Sequence, residues 1–316
     1  MKRKYAVITG FLGKVKDRFI DYQPAREIEE MLEMASRIKG CSGLEVIYPQ
    51  NFTDPLKLKD LLKAYNLEVS TVNLNVKSEE KWRFGSFSNP DAKIRKEAVK
   101  YLKEAMDCAA ELGCNLVTSA FLNDGADYPF ELDYIKAFND AIEGVKDAAE
   151  YRSNVKISLE YKASEPRVRC LLNNAGKMAY FCNLVDKPNV GVTLDFGHAL
   201  QSLESPADSV AFLGSTGKLF YIHVYDNNRT WDWDLVPGTT NFWDYIEFAL
   251  YLKRVGYDGW ITADVFPQRH DPIRIMEKTF EWMDYIFDIA DKLDQNILTE
   301  MMQNKDAFEI LDYVRS

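Results

Sequence analysis

Four stretches between residues 155 and 270 each end a run of apolar residues with a side chain that can bind a metal ion. These side chains are Glu160, Asp195, His223 and Asp264. Hard divalent cations favour carboxylates combined with an imidazole. If the four runs are strands of one sheet that curves into a barrel, the side chains converge and predict a divalent-metal site.

Alternation along the first of these runs identifies its inner face. Side chains on a strand point to opposite faces in turn, so Glu160 and Lys162 project together, away from Ile157, Leu159 and Tyr161. A buried Glu160–Lys162 ion pair with no further role would stabilise the fold little, because desolvation offsets the attraction. The pattern therefore favours a functional role for both residues.

The histidines are few and two of them lie beside acids. The chain has three in all, and His198 follows Asp195 by three residues while His223 ends the next apolar run. An isolated Asp-x-x-His is a weak signal, but this scarcity favours a ligand role for both histidines. The third, His270, is expected to orient the start of a helix.

The loop after His223 contains Asp232 and Asp234, each preceded by a tryptophan, Trp231 and Trp233. Solvated loop acids are the alternative interpretation. Aromatic rings beside carboxylates instead suggest a partly enclosed wall that a sugar ring can contact.

Composition excludes several classes of protein. A net charge of −10 leaves no general basic surface for nucleic acid or an anionic membrane. The five cysteines form no Cys-x-x-Cys pair, which predicts a reducing, cytoplasmic location. The basic and apolar start is predicted to be a first strand rather than a signal peptide, since the apolar run is short. No stretch approaches the ~20 apolar residues that span a bilayer.

Short β-type runs alternate with amphipathic runs along the whole chain. The predicted strands are Tyr5–Gly10, Leu44–Tyr48, Val69–Asn75, Asn115–Leu122, Val155–Lys162, Val190–His198, Leu219–Asp226 and Trp260–Phe266. In the third strand the inward set is predicted to be Thr71, Asn73 and Asn75. The predicted helices are Pro24–Lys39, Asp54–Tyr65, Asp91–Leu112, Phe130–Tyr151, Arg167–Cys182, Pro206–Leu213, Phe242–Val255, Pro272–Leu293 and Ile297–Val314.

Eight strands, each followed by a helix, predict a parallel sheet with right-handed crossovers. We therefore expect an α/β fold in which residues 1–316 form a single (β/α)8 TIM barrel with an extra C-terminal helix. The ligand-type residues fall near the C-terminal strand ends, where this architecture builds its active sites. The long loop Lys77–Pro90 carries Trp82, Arg83, Phe84 and Phe87, and it is either a lid or a segment packed onto the barrel.

Three motifs resemble those of the xylose isomerase-like barrel superfamily, which includes xylose isomerase, L-rhamnose isomerase, ketose 3-epimerases and endonuclease IV. They are the Glu-x-Lys-x-x-Glu-Pro-Arg stretch from Glu160, the acid-x-Gly-His stretch that ends at His198, and the Asp-x-Asp of the loop. The resemblance implies one ion, Mn²⁺ above all or else Mg²⁺ or Co²⁺, held by Glu160, Asp195, His223 and Asp264. It also implies a second ion held by His198, Asp232 and Asp234, with Asp195 as a bridge.

The resemblance assigns further roles. Lys162 would polarise a substrate carbonyl, and Arg229, six residues after His223, would contact substrate, as would Glu165, Trp231 and Trp233. The chain departs from the family in two places. No histidine precedes residue 198 to open a sugar ring, and Asp264 stands where 3-epimerases have glutamate.

The sequence thus predicts a metal-dependent sugar isomerase that interconverts an aldose and a ketose, with Glu160, Lys162 and Asp264 as catalytic residues. A ketose 3-epimerase is the alternative. The expected partners are a small sugar and further copies of the chain, but neither nucleic acid nor membrane. A nuclease like endonuclease IV would need more histidines and a basic groove, and a sugar-binding protein without catalysis would not need Lys162.

Overall fold

Eight parallel strands close into a barrel in the computed structural model, which describes residues 3–52, 54–165 and 167–316. Each strand pairs with its neighbours in sequence, and the first pairs with the last. The predicted fold class is therefore confirmed. The strands are β1 (Tyr5–Ile8), β2 (Cys41–Tyr48), β3 (Glu68–Leu74), β4 (Leu116–Ala120), β5 (Lys156–Glu160), β6 (Val190–Asp195), β7 (Leu219–Val224) and β8 (Ile261–Ala263).

Hydroxyl groups fill the middle of the barrel. Thr193 Oγ1 lies 2.8 Å from Thr118 Oγ1 and 2.7 Å from Ser158 Oγ. Across the lumen, the Tyr221 hydroxyl donates to Ser70 Oγ at 2.7 Å. These groups satisfy one another, so a buried polar layer is stable beneath the charged residues at the C-terminal strand ends.

A ring of helices covers the outward strand faces, whose residues are apolar and buried. Local sequence fixes the helix ends: the Asp54 side chain accepts the N–H of Lys57 where Pro55 opens a helix, and Gly113 ends another at a φ of 78°. The helices are α1 (Ile28–Arg37), α2 (Pro55–Ala64), α3 (Ala92–Leu112), α4 (Tyr134–Tyr151), α5 (Ala175–Val185), α6 (Phe196–Gln201), α7 (Pro206–Ser215), α8 (Phe242–Arg254) and α9 (Pro272–Lys292).

The helix predicted over Arg167–Cys182 is wrong in its first half. Ser164–Glu165 and Val168–Cys170 pair as antiparallel strands, and Gly125–Ala126 adds a third. The helix α5 begins only after Asn174, whose side chain accepts the N–H of Lys177. Pro166, which belongs to the Glu-Pro-Arg motif, lies outside the described residues.

The C-terminal segment forms two helices, α10 (Gln295–Asn304) and α11 (Ala307–Arg315), rather than the one predicted. The first of these helices ends at Lys305, which has a left-handed φ of 56°. Asp306 then caps the next helix by accepting the N–H groups of Phe308 and Glu309. Among the described residues, no helix is both long and apolar enough to cross a bilayer.

The loop Lys77–Pro90 is held onto the barrel by its own side chains. Trp82 and Phe87 are buried, and only Phe84 of its larger aromatics is well exposed. The buried carboxylate of Asp124 accepts hydrogen bonds from the backbone and hydroxyl groups of Ser86 and Ser88. These contacts support the packed form of the loop.

Candidate active site

Four side chains converge at the C-terminal end of the barrel. Glu160 and Asp195 are the last residues of β5 and β6, His223 lies near the end of β7, and Asp264 follows β8 directly. Parallel strands in register bring these ends to one level, and one ligand atom from each residue lies within 4.8 Å of the others. Glu160, Asp195 and His223 are buried, while the Asp264 side chain is 19% exposed.

The imidazole of His223 presents one nitrogen to the carboxylates. Its Nδ1 lies 3.3 Å from Glu160 Oε1, 3.5 Å from Asp264 Oδ2 and 3.9 Å from Asp195 Oδ2. Its Nε2 points the other way, 2.9 Å from Oε2 of Glu45 on β2. Nδ1 is therefore the nitrogen that can bind an ion shared with the acids.

The residues fit a divalent cation on two observations. Asp195 Oδ1 accepts the N–H of His198 at 3.0 Å, but Oδ2 is buried with no hydrogen-bond partner among the residues that the structure describes. A buried polar atom without a partner is costly, and an ion would supply one. Three carboxylates with one imidazole are also a donor set that Mn²⁺, Mg²⁺ or Co²⁺ accepts.

Without an ion, protonated histidines balance the acids. Burial opposes ionisation throughout, but the carboxylates around His223 and His198 raise the pKa of both well above the usual range. Burial also raises the pKa of Asp195 to about 6 and that of Asp264 to about 7. For Glu160 the charges of the two histidines outweigh burial, and its pKa falls well below its usual range. Metal binding would therefore displace protons.

A second charged group surrounds Lys162. Its ammonium donates to the carboxylates of Glu165 and Asp232, and it is itself only 3% exposed. Burial would lower the pKa of Lys162, but the two acids outweigh burial and raise it. Asp232 also accepts the Tyr225 hydroxyl and lies 3.6 Å from His198 Nε2.

His198 joins the two charged groups. Its Nδ1 lies 3.0 Å from Glu160 Oε1 but is not aligned for a hydrogen bond, and within the described chain this buried atom has no other partner. Asp234 follows Asp232 on the loop and lines the same cavity. Burial and the nearby carboxylates of Asp232 and Asp264 raise the pKa of Asp234 well above its usual range.

Three predicted substrate contacts lie elsewhere. Arg229, Trp231 and Trp233 are not among the described residues that line the cavity. Arg229 Nη2 pairs with Asp244 Oδ1 of α8 at 2.9 Å, and the two tryptophan side chains are about half exposed. Neither their types nor their spacing reveals on which side of the loop they fall.

The cavity above the cluster has a volume of about 340 Å³, near the lower end of the range for small-molecule sites. Asn73 on β3 and Asn75 directly after it, both predicted by alternation to face inward, line it. So do Phe11 and Phe266, whose rings meet edge to face at 5.5 Å. The remaining lining residues are Ile8, Gly10, Ile47, Lys77, Ser78, Ala120, Leu122, Glu160, Lys162, Glu165, His198, His223, Asp232, Asp234 and Asp264.

Sequence reasoning missed Glu45. This fully buried acid is the only charged residue in the apolar run Leu44–Tyr48 and has opposite parity to Leu44 and Val46. The same alternation test that selects Glu160 would have placed it on the inner face. His270, expected to orient a helix start, lies just before α9, where Asp271 is the residue that caps the helix.

Residues 32–308 match the family model described as xylose isomerase-like TIM barrel. The chain is 27% identical over 209 residues to the xylose isomerase of Thermus thermophilus, a match that covers 64% of this chain and 54% of that enzyme, so it spans about half of the relative.

Solved structures with the same fold are more distant in sequence. An L-ribulose 3-epimerase superposes with a TM-score of 0.73 at 16% identity, covering 92% of this chain and 96% of the other. The D-psicose 3-epimerase of Clostridium cellulolyticum H10 gives 0.69 at 19% identity, covering 90% and 99%. These two likenesses show the fold alone.

Proposed function

The chain belongs to the xylose isomerase-like TIM-barrel family, and on that premise we propose that it is a divalent-metal-dependent enzyme that interconverts an aldose and a ketose. The observation that carries the proposal is the strand-end cluster of three carboxylates and His223, with the ammonium of Lys162 lining the same cavity. A bound divalent ion supplies Lewis-acid polarisation of adjacent sugar oxygens.

The residues of the chain supply the rest of the chemistry. Lys162 stays charged because Glu165 and Asp232 hold it, so it can donate to a substrate carbonyl oxygen as negative charge develops there. Glu160 and Asp264 line the cavity and can accept hydrogen bonds from sugar hydroxyls. Phe11 and Phe266 offer an apolar wall that excludes water from one side.

The hydrogen-bonding groups of the cavity favour an uncharged sugar. Its lining contains five carboxyl groups, those of Glu160, Glu165, Asp232, Asp234 and Asp264, but only two lysines, Lys77 and Lys162. The hydroxyls of a neutral sugar can donate to these carboxyl groups, whereas a phosphate or carboxylate on the substrate can only accept hydrogen bonds and gains little from a lining rich in acids.

Asp264 supports isomerisation between C1 and C2. A base that epimerises C3 must come within ~2.6–3.2 Å of the proton that it removes. Aspartate is one methylene shorter than glutamate, so Asp264 can bind an ion at the cluster and still fall short of C3. Hydrogen transfer between C1 and C2 makes no such demand, and the 27% identity to a xylose isomerase agrees with it.

One observation favours the ketose 3-epimerase alternative. Lys162 and Tyr225 already occupy the carboxylate of Asp232, which the two-ion interpretation assigns to a second metal. A reaction that needs a single ion is compatible with those contacts as they stand.

Turnover in D₂O distinguishes the two reactions. The purified protein, loaded with Mn²⁺ and separately with Mg²⁺ for NMR, is incubated with a panel of neutral aldoses and ketoses. We expect an aldose–ketose pair in which the transferred hydrogen is largely unexchanged. Deuterium at C3 of a recovered ketose, with no aldose formed, would instead identify the epimerase. Failure to convert any sugar while metal is bound would refute both.

A further inference from the structure

Glu45 is a buried carboxylate with no part in the proposed chemistry, but it contacts a predicted metal ligand. It lies on β2, across the barrel from His223 on β7, and its Oε2 is 2.9 Å from His223 Nε2. Its other oxygen accepts a hydrogen bond from Asn73 Nδ2 at 2.5 Å. Glu45 is fully buried and His223 is 1% exposed, so water does not compete for these bonds.

A neutral imidazole has one N–H, and its surroundings decide which nitrogen bears it. The Glu45 carboxylate can only accept at Nε2, which keeps the proton there and leaves the Nδ1 lone pair free. That lone pair faces Glu160, Asp195 and Asp264. Proteins commonly orient metal-binding histidines through such an outer carboxylate.

We propose that Glu45 is a positioning residue that fixes the Nε2–H tautomer and the ring orientation of His223, so that Nδ1 can bind the divalent ion. Asn73 in turn fixes Glu45, because its amide group holds the second carboxylate oxygen in place. The inference rests on the metal site of the proposed function and adds two residues to it, neither of which touches the ion.

Substitution Glu45→Gln tests this role without a change of size. If the amide NH₂ faces His223, it donates to Nε2 and drives the proton onto Nδ1, which blocks the ligand. If the amide oxygen faces His223, the NH₂ faces Asn73, whose amide must turn over to accept it, and the charge that strengthens the bond to Nε2–H is lost. Either arrangement should raise the dissociation constant for Mn²⁺ by about 10–100-fold, the range for outer contacts of metal ligands.

Calorimetric titration of the purified protein with Mn²⁺ measures that change. The matched control is Glu204→Gln, since Glu204 is also a hydrogen-bond acceptor, for Tyr161 and the N–H of Ala175, but does not line the cavity. The control should keep the wild-type dissociation constant. A Glu45→Gln constant within threefold of wild type would overturn the inference.

A measurement on the wild type keeps the inference testable even if Glu45→Gln fails to fold. Nitrogen-15 NMR of histidine-labelled protein with Mg²⁺ should show His223 protonated at Nε2 and unprotonated at Nδ1. With three histidines in the chain, His270→Asn and His198→Asn complete the assignment. A proton on Nδ1 in the loaded protein would overturn the inference, whereas absence of metal binding by the wild type would refute the proposed function itself.

Discussion

Replacement of Asp195 by asparagine should stabilise the metal-free protein and destabilise the metal-loaded protein relative to wild type. Asp195 has two separate roles. Its Oδ1 caps α6 by accepting the N–H of His198, and asparagine caps a helix as well as aspartate does. Its Oδ2 is buried and has no hydrogen-bond partner among the described residues, and that is the atom which the substitution changes from O⁻ to NH₂.

The expected gain follows from the pKa of the carboxyl. Burial raises the pKa of Asp195 from 3.8 to about 6, so the folded state is penalised when the group ionises. The penalty is absent below the unfolded pKa and complete above pH 6, where it amounts to roughly 3 kcal/mol. An asparagine at this position cannot ionise, so the free energy of unfolding without metal should rise by about 1–3 kcal/mol at pH 7.5 but by only about 0.5 kcal/mol at pH 4, close to the unfolded pKa.

Bound metal should reverse which of the two proteins is the more stable. The wild type gains roughly 4.1 kcal/mol when the ion is present at 1,000 times its dissociation constant, which exceeds the advantage of about 1–3 kcal/mol that the variant has without metal. The variant loses a charged ligand and most of that gain. Urea unfolding of both proteins, in EDTA and in saturating Mn²⁺, at pH 7.5 and pH 4, gives all the free energies that the prediction compares.

Asp226→Asn is the matched control. Asp226 is equally buried, but its oxygens accept the N–H groups of Thr240, Asn241 and Asn227 at 2.7–3.0 Å. An amide there turns a donor toward donors and should cost about 1–3 kcal/mol with or without metal. If Asp195→Asn also lowers the metal-free stability, the ionised, unpartnered carboxylate does not destabilise the metal-free fold, and the reasoning from its burial is refuted.

Three further results are expected. Chelation by EDTA should lower the melting midpoint of the wild type by about 5–10 °C, since ~1 kcal/mol moves a large domain by 2–4 °C, and an unchanged melt would argue against a bound ion. The double substitution of Asp232 and Asp234 by asparagine should reduce turnover by orders of magnitude while calorimetry still detects the strand-end ion; near-normal activity would make them ordinary loop acids. Gly197→Ala should destabilise the protein by roughly 1–3 kcal/mol in thermal unfolding, because the added methyl overlaps the buried ring of Tyr225, whereas Gly176→Ala should not, because its methyl meets only Asn174 Oδ1 at an ordinary 3.6 Å.

The barrel fold and the position of the acids at the C-terminal strand ends were predictable, because both follow from patterns within short stretches of sequence. Alternation along a strand tells which residues face inward, and a closed parallel sheet brings all strand ends to one side. The apolar run that precedes each residue was enough to predict the positions of Glu160, Asp195 and His223. Glu45 follows the same alternation, but its run contains no second charged residue or histidine that would have marked it as part of a site.

Contacts between distant segments were not predictable. Residues 168–172 have a helix-like apolar spacing, yet Arg169 and Cys170 pair with Ala126 and Gly125, more than 40 residues earlier. Arg229 has the spacing of a substrate ligand, but its side chain pairs with Asp244, which lies 15 residues later on α8. Sequence periodicity carries no information about such partners, and tertiary pairing outweighs local preference.

The position of Lys162 bears on how many ions the site holds. Its ammonium donates to the carboxylate of Asp232, which the family resemblance assigns to a second cation. Two unit positive charges 4 Å apart repel by about 4 kcal/mol at an effective dielectric of 20, and a divalent ion doubles that. Asp234 acts in the opposite direction. Its pKa is raised by burial and by the charges of Asp232 and Asp264, so a cation there would relieve repulsion among these acids. A second ion would therefore have to displace Lys162 from Asp232 and ionise Asp234, so we expect it to bind more weakly than an ion at the strand-end cluster.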